Sequence, residues 1–260
     1  MEWWRRTLGN LQLQKLKRAH FFEARDRLTG ANGERLAIAT VNKRMALIAA
    51  VLTRALDRDW IQHHPARIRR LTEKNQRERI LDEEERHSLL DACKRSDEPA
   101  LYPFVVSAMI SGARAGELKN LRMKDTNLMI GTALLSKTKS GRKRSIPLRG
   151  EALAAILSYH ACANTSGRVY LFSNRNKNSA FDYRRSWDKA RREASLLDVH
   201  FHDLRHLAAS ELAMSGASAR EIQFLLGHAS AQMTARYSHL LNNHHVPLGD
   251  RLNERFFPSR

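Results

Sequence analysis

His202-Asp203-Leu204-Arg205-His206, then Leu225-Leu226-Gly227-His228, then Thr234-Ala235-Arg236-Tyr237-Ser238-His239 follow one another near the carboxy end of the chain, and their reading decides the fold and the site. Residues three and four apart are neighbours on a helix, so a helix from His202 to Met214 would align His202, Arg205 and His206 along one edge. A second short apolar helix, Ala219 to Leu226, meets a glycine stop at Gly227, which leaves His228 on a tight turn. A third helix, Ala231 to Leu241, would carry Tyr237. Imidazole, guanidinium and phenol gathered at these spacings can assemble one site that grips a phosphate.

Upstream, Ser111-Gly112-Ala113-Arg114-Ala115-Gly116-Glu117-Leu118 sets an arginine just after the apolar run Tyr102 to Ile110, where one helix would end and another begin. Between this block and the first one, Leu134-Leu135, a turn through Lys139-Ser140-Gly141, and Arg144-Ser145-Ile146-Pro147-Leu148 read as a β-hairpin. Lys139 falls near its turn, where a flexible cation can reach into a groove. Strand signals cluster only between Leu128 and Leu148, so the expected fold is mainly α with a small antiparallel β-sheet. Further helices are expected at Leu16 to Leu28, from Thr40 as N-cap over Val41 to Asp59, from Asp82 as N-cap with the acidic start Glu83-Glu84-Glu85, then through Ile110, near Gly116 to Leu121, at Glu151 to Ala161 and at Phe181 to Ser195. The segment Arg67 to Arg79 is dense in Lys and Arg and reads as an exposed linker. It suggests two domains, 1–74 and 75–260.

The chain of 260 residues carries a formal charge of +18 and has a pI of about 10.6, the footprint of a protein that meets a polyanion. Residues 1 to 75 hold sixteen Lys and Arg against seven Asp and Glu, so half of that excess sits in the first part of the chain. Cys93 and Cys162 stand far apart in no metal-like spacing, which fits a reducing, cytoplasmic setting without a disulfide framework. No apolar run approaches a membrane span, and Met-Glu-Trp-Trp-Arg-Arg lacks the apolar core of a secretory signal. Scattered aromatics argue against a base-stacking platform for single strands. His202 and His206 have the i, i+4 spacing of a zinc pair, but Asp203 stands where the zinc-protease helix needs glutamate. No metal site is expected.

Taken together, Ser-Gly-Ala-Arg-Ala-Gly-Glu-Leu, the hairpin lysine followed by Ile-Pro-Leu, His-Asp-Leu-Arg-His, Leu-Leu-Gly-His and the Tyr-Ser-His segment come in the order of the tyrosine site-specific recombinases, or phage-type integrases, which this chain resembles from about Ile80 to Leu241. The resemblance implies a two-domain, C-shaped clamp on double-stranded DNA, made of a helical core-binding domain and a catalytic domain. It implies that Tyr237 attacks the scissile phosphate while Arg114 and Arg205 hold its non-bridging oxygens through forked contacts. His228 would add a hydrogen bond, Lys139 would protonate the departing 5′ oxygen, and His202 would assist proton transfer at the tyrosine. Glu117 would brace the site. His206 and His239 read as structural, packing or capping, although either lies close enough to assist. Lys43 and Arg44, in Thr40-Val41-Asn42-Lys43-Arg44, would contact DNA from the first domain, which begins late compared with the family and is expected to be a shortened one.

The implied product is a 3′-phosphotyrosine, whose retained bond energy makes rejoining independent of ATP, metal or any cofactor. Exchange through a Holliday junction implies a tetramer on DNA, nucleoid association when bound, and a tail, Leu248 to Phe257, docked on a neighbouring subunit; accessory DNA-bending proteins stay open. Two other readings compete: a type IB-like relaxing topoisomerase, and a DNA-binding remnant of an integrase without productive recombination. Each residue also has a plain alternative. Arginines in a basic chain are mostly surface cations, and a tyrosine on an amphipathic helix is mostly a half-buried core residue.

Overall fold

The computed structural model describes residues 2–28, 33–65, 69–72, 79–136, 143–162, 167–174, 179–228, 230, 233–237 and 255–256. The chain folds as two compact units, Met1–Arg77 and Glu78–Arg260. The expected tail helix from Leu248 lies almost wholly outside the described residues, as does the hairpin turn with Lys139.

The first unit is helical, with α1 (Glu2–Leu8), α2 (Arg18–Asp26) and α3 (Ile38–Leu56). Along α3 the buried side chains Val41, Met45, Ile48, Leu52 and Ala55 recur every three or four residues, a stripe that closes over Trp4, Phe21, Ala24 and Leu28. The indole of Trp4 donates from Nε1 to the carbonyl of Arg44 at 3.0 Å, so α1 is part of this core. The sequence pattern gives no helix there. It also starts α3 at Thr40, whereas the helix begins at Ile38 after Ala37, with no side-chain cap. Lys43 is exposed and Arg44 half-buried. Asn42 is buried and grips the main chain of Leu71 twice, Nδ2 donating to its carbonyl at 2.9 Å and Oδ1 accepting from its N–H at 2.9 Å. Leu71, part of the segment expected to be an exposed linker, is thereby packed against the first core.

In the second unit, Asp82 caps α4 (Glu83–Lys94) in a reciprocal box: its side chain accepts from the Glu85 N–H at 2.8 Å, and the Glu85 side chain accepts from the Asp82 N–H at 3.1 Å. Arg79 ties Glu85 to Asp198, donating from Nε to Asp198 at 2.7 Å. The linker expectation therefore ends short of Arg79. Helix α5 (Leu101–Ser111) is buried along most of its length. It packs against α7 (Glu151–Cys162) and α9 (Asp203–Met214), while α4 packs on α8 (Arg184–Glu193).

A three-stranded antiparallel sheet, β1 (Thr126–Asn127), β2 (Thr132–Leu135) and β3 (Arg144–Pro147), lies in chain order, with Ala133 opposite Ile146 and Leu135 opposite Arg144. Two short helices complete the site region, α6 (Ala115–Lys119) and α10 (Ala219–Leu226). The latter is capped at its start by Ser218 with Glu221 and at its end by left-handed Gly227 (φ 66°).

Aromatic residues scattered in sequence meet in the second core. Phe104 of α5 contacts Phe172, Phe181, Tyr183 and Phe201 with ring centroids 5.1 to 5.5 Å apart. Fully buried Phe104 thus joins α5 to the segments before α8 and α9. Phe104→Ala is expected to cost about 3–5 kcal/mol, read as a lower midpoint in denaturant unfolding of the second unit, whereas Trp60→Ala, at an exposed side chain, is expected to leave that midpoint in place.

Candidate functional site

Arg114 lies at the junction of α5 and α6, where Gly112 turns the chain in the left-handed region (φ 59°) and Arg114 becomes the residue that precedes α6. A Cβ at Gly112 would fall 2.4 Å from Cδ2 of Leu226, so both backbone conformation and space call for glycine. Glu117, one turn into α6, accepts from the N–H of Arg114 at 3.0 Å and from its Nη1 at 3.1 Å. From the sheet, Arg144 donates to the same carboxylate, Nη2 to Oε2 at 2.8 Å and Nη1 to Oε1 at 3.2 Å. Its Nε donates to the carbonyl of Leu225 at 3.1 Å, near the end of α10.

Glu117 and Arg144 are both buried, with side chains 5 % exposed. Burial pushes the Glu117 carboxyl upward, but the hydrogen bonds from Arg144 and from the Arg114 backbone, with the charges of both arginines, outweigh it and hold the group below its ordinary value. Glu117 is therefore an ionised carboxylate shared by two cations. The sequence motifs do not single out Arg144. The available signal is alternation: Arg144 shares the inward face of β3 with Ile146, an unusual place for a guanidinium.

Arg205 projects inward from the first turn of α9 and is 4 % exposed. Two of its five N–H donors are taken by carbonyls, Gly112 at 2.6 Å and Leu226 at 2.8 Å. These bonds lock α9 to the α5–α6 junction and to the end of α10. Burial, then the charges of Arg114 and Arg144, lower its pKa to about 10 against the partial compensation of Glu117 and Tyr237. It stays protonated at neutral pH, in a pocket short of negative charge.

His228 follows Gly227, whose missing Cβ would meet Cζ of Arg144 at 2.9 Å. Its Nδ1 shares a 2.8 Å hydrogen bond with Oγ1 of buried Thr234. Burial, then Arg205 and Arg114, push its pKa down to about 4. Thr234 is a second residue that sequence reasoning misses, and no sequence pattern marks it, because the contact depends on the chain returning after His228.

Tyr237 sits on a 3₁₀ turn, Ala235–Tyr237. The expected helix from Ala231 is not seen among the described residues, since no i, i+4 ladder reaches this turn. The Tyr237 ring packs with Ala209, Ala213, Ile222 and Leu226 between α9 and α10, and its hydroxyl lies 2.6 Å from Nδ1 of His206. The expectation of a packing or capping role for His206 does not include this contact. His202 precedes α9, is exposed, and faces the His206 ring edge-on at 5.1 Å. Arg114, Arg205, His228 and Tyr237 thus meet in one region, joined by Arg144, Glu117 and His206. His202 sits at its rim, Lys139 lies outside the described residues, and Lys43 and Arg44 belong to the first unit. Among the described residues no three His, Cys, Asp or Glu cluster as metal ligands, and no helix is long and apolar enough to cross a membrane.

The fold and this cation-lined tyrosine define a class. Residues 79–244 match the model of the phage integrase family, and the chain belongs to that family. A shufflon-specific DNA recombinase of Escherichia coli is 32% identical over 163 residues, covering 62% of this chain and 40% of that protein. The integrase of Salmonella phage P22 is 28% identical over 220 residues, 80% of this chain and 56% of its own length. The chain spans about half the length of the curated relatives it matches. In fold it is similar to a lambda integrase dimer bound to a COC′ core site, with a TM-score of 0.71 at 20% identity over 91% of this chain and 84% of that one.

Two outcomes follow from this geometry. Arg144→Met strips a buried partner from Glu117 and is expected to destabilise the second unit by roughly 3 kcal/mol, measured by denaturant unfolding, with a smaller loss in Arg144→Met/Glu117→Gln than the two single losses combined. A histidine NMR titration is expected to find His228 protonating at about 4. Because the unfolded chain takes that proton near the ordinary value of 6.5, His228 lowers stability as pH falls from about 6.5 towards 4, and His228→Gln removes this part of the acid sensitivity.

Proposed function

We propose that this chain cuts and rejoins double-stranded DNA at specific sites as a tyrosine recombinase, with Tyr237 as nucleophile and a 3′-phosphotyrosine as intermediate. The observation that carries this reading is the charge deficit around the nucleophile. Arg205 is a buried cation fixed by two carbonyls, its pKa lowered to about 10 by burial and by Arg114 and Arg144. An anionic phosphate between Arg114 and Arg205 relieves that cost, and the pentavalent transition state, carrying more charge, relieves it further. Guanidinium forks match its non-bridging oxygens.

Neutral His228 fits the same anion. The Nδ1–Thr234 contact is compatible with the tautomer in which Thr234 donates to Nδ1 and the ring carries its hydrogen on Nε2, the donor that a phosphate needs. Glu117 orients Arg114 rather than reacting, since both of its oxygens are taken by arginines. Lys139, by its place in the hairpin motif, donates a proton to the departing 5′ oxygen. His202 stands at the exposed rim against the histidine that meets the phenol, and assists proton transfer there. Lys43 and Arg44 of α3 contribute to DNA grip from the first unit, in a helical core-type domain near residues 1–74 that precedes a catalytic domain near 75–260.

A pentavalent phosphorane held by fixed cations needs no metal ion or nucleotide. The relatives' names, an integrase and a recombinase, favour paired-site exchange over relaxation by a topoisomerase. Exchange between two duplexes needs four tyrosines, so the working assembly is a tetramer on DNA, located wherever its DNA is.

The test uses a pool of nicked duplexes of random sequence. A protein–DNA adduct that survives denaturant is expected from the native protein, absent in Tyr237→Phe and unaffected by chelator; Arg205→Lys is expected to slow it about 100-fold or more, as loss of a fixed donor to a transition-state oxygen does. Recombinant products from duplexes recovered as adducts support site-specific exchange. Relaxation of supercoiled plasmid without such products, or DNA binding without an adduct, overturns it.

A further inference from the structure

The family resemblance gives His202 a part in proton transfer at the nucleophile, and the tertiary structure brings the ring of His206 to the phenol as well. Nδ1 of His206 lies 2.6 Å from the Tyr237 hydroxyl, and the His202 ring meets the His206 ring edge-on at 5.1 Å and 89°. The contact is built rather than incidental. The turn Ala235–Tyr237 packs on α9, and the phenol ring is wedged among Ala209, Ala213, Ile222 and Leu226, which fixes the direction of its C–O bond. The two rings are 6.2 Å apart between centroids at 43°, so the imidazole meets the phenol through its nitrogen and not through its face.

Among the described residues, the arginines and His228 of this region are poorly suited to take a proton. Arg114, Arg144 and Arg205 carry donors only, and Nδ1 of His228 is engaged by Thr234. In its Nε2–H tautomer, His206 turns a lone pair on Nδ1 toward the hydroxyl, which donates to it. Among the described residues, His206 meets Tyr237 from the 3₁₀ turn and His202 from its own segment, and its charge helps to keep His228 neutral. A proton resting on His206 is thus met by a neighbour that stays uncharged.

We propose that His206 is a catalytic residue, the base that removes the Tyr237 proton during strand cleavage and the acid that returns it on rejoining. This rests on the reading of Tyr237 as the nucleophile. In cleavage the Oη–H bond breaks and the proton moves to Nδ1 of His206. The phenolic oxygen bonds to phosphorus, the P–O5′ bond breaks, and its electron pair stays on the 5′ oxygen, which takes a proton from Lys139. In rejoining, the 5′ hydroxyl attacks and its proton returns to Lys139, the P–Oη bond breaks, and the proton held on His206 goes back to the phenol. No outside oxidant, reductant or co-reactant enters.

The measurement is the rate of covalent adduct formation by the full chain on the nicked duplex pool, with thermal melting and gel-shift binding as controls for folding and DNA grip. His206→Asn keeps an oxygen acceptor near the position of Nδ1 but cannot hold the proton, and is expected to slow the adduct about 10²- to 10⁴-fold. His206→Ala is expected to be as slow and to recover in part when imidazole is added, because the half-buried position admits it from solvent. A sulfur in place of the bridging 5′ oxygen makes a leaving group that needs no proton, so it is expected to rescue Lys139→Ala and to leave His206→Asn slow. The inference is overturned by His206→Asn reacting as fast as the native protein, by rescue of His206→Asn with the sulfur substrate, or by a folded His206→Ala that ignores imidazole. Absence of any adduct from the native protein defeats the nucleophile reading itself, and His206 with it; native activity with unimpaired His206 variants defeats only the role of His206.

Discussion

One buried carboxylate holds the second unit's polar centre together. Glu117 takes hydrogen bonds from the backbone and side chain of Arg114 on one side and from both terminal nitrogens of Arg144 on the other. A buried charge without partners costs several kcal/mol, and a buried pair is tolerable when its remaining donors and acceptors are satisfied. Arg144 meets that condition by directing its third nitrogen to the carbonyl of Leu225. The helix that starts at Ala115, the strand that starts at Arg144 and the end of α10 are consequently held at one point.

That point leaves Arg205 as a cation only partly compensated by Glu117 and Tyr237. It is fixed by two main-chain carbonyls, and the carboxylate of Glu117 is already divided between two other arginines. Such a guanidinium is arranged before any ligand arrives, which is the property that makes charge effective on a transition state. The same surroundings keep His228 neutral, with burial as the larger cause and the arginines adding to it. Gly112 and Gly227 permit this crowding. One gives room to Leu226 and the other to Arg144, and both have positive φ, where a side chain would be strained as well as displaced.

Local signals served best where a residue acts on its own chain neighbours. Asp82 followed three residues later by Glu85 is a cap whatever surrounds it, and Gly227 after Leu226 is a helix stop for the same reason. They served least where the deciding contact was distant. Thr40 has the chemistry of an N-cap, yet α3 begins before it because Val41 and Met45 bury against the first core. Tyr237 lies on a 3₁₀ turn because its ring is held between α9 and α10, which overrides the helical pattern around it.

The sequence by itself determined the family, the mainly helical fold with its small hairpin sheet, and the identity of the arginines, histidine and tyrosine that converge, since order and residue type carry that information without coordinates. Only the tertiary structure decided who touches whom. That Arg144 shares Glu117 with Arg114, that Thr234 engages His228, and that His206 meets the phenol all depend on the angle at which α9, α10 and the last turn pack. The physical reason is range: caps and helical periodicity are set within a few residues of the chain, whereas a hydrogen bond between side chains far apart in sequence is set by how buried surfaces fit.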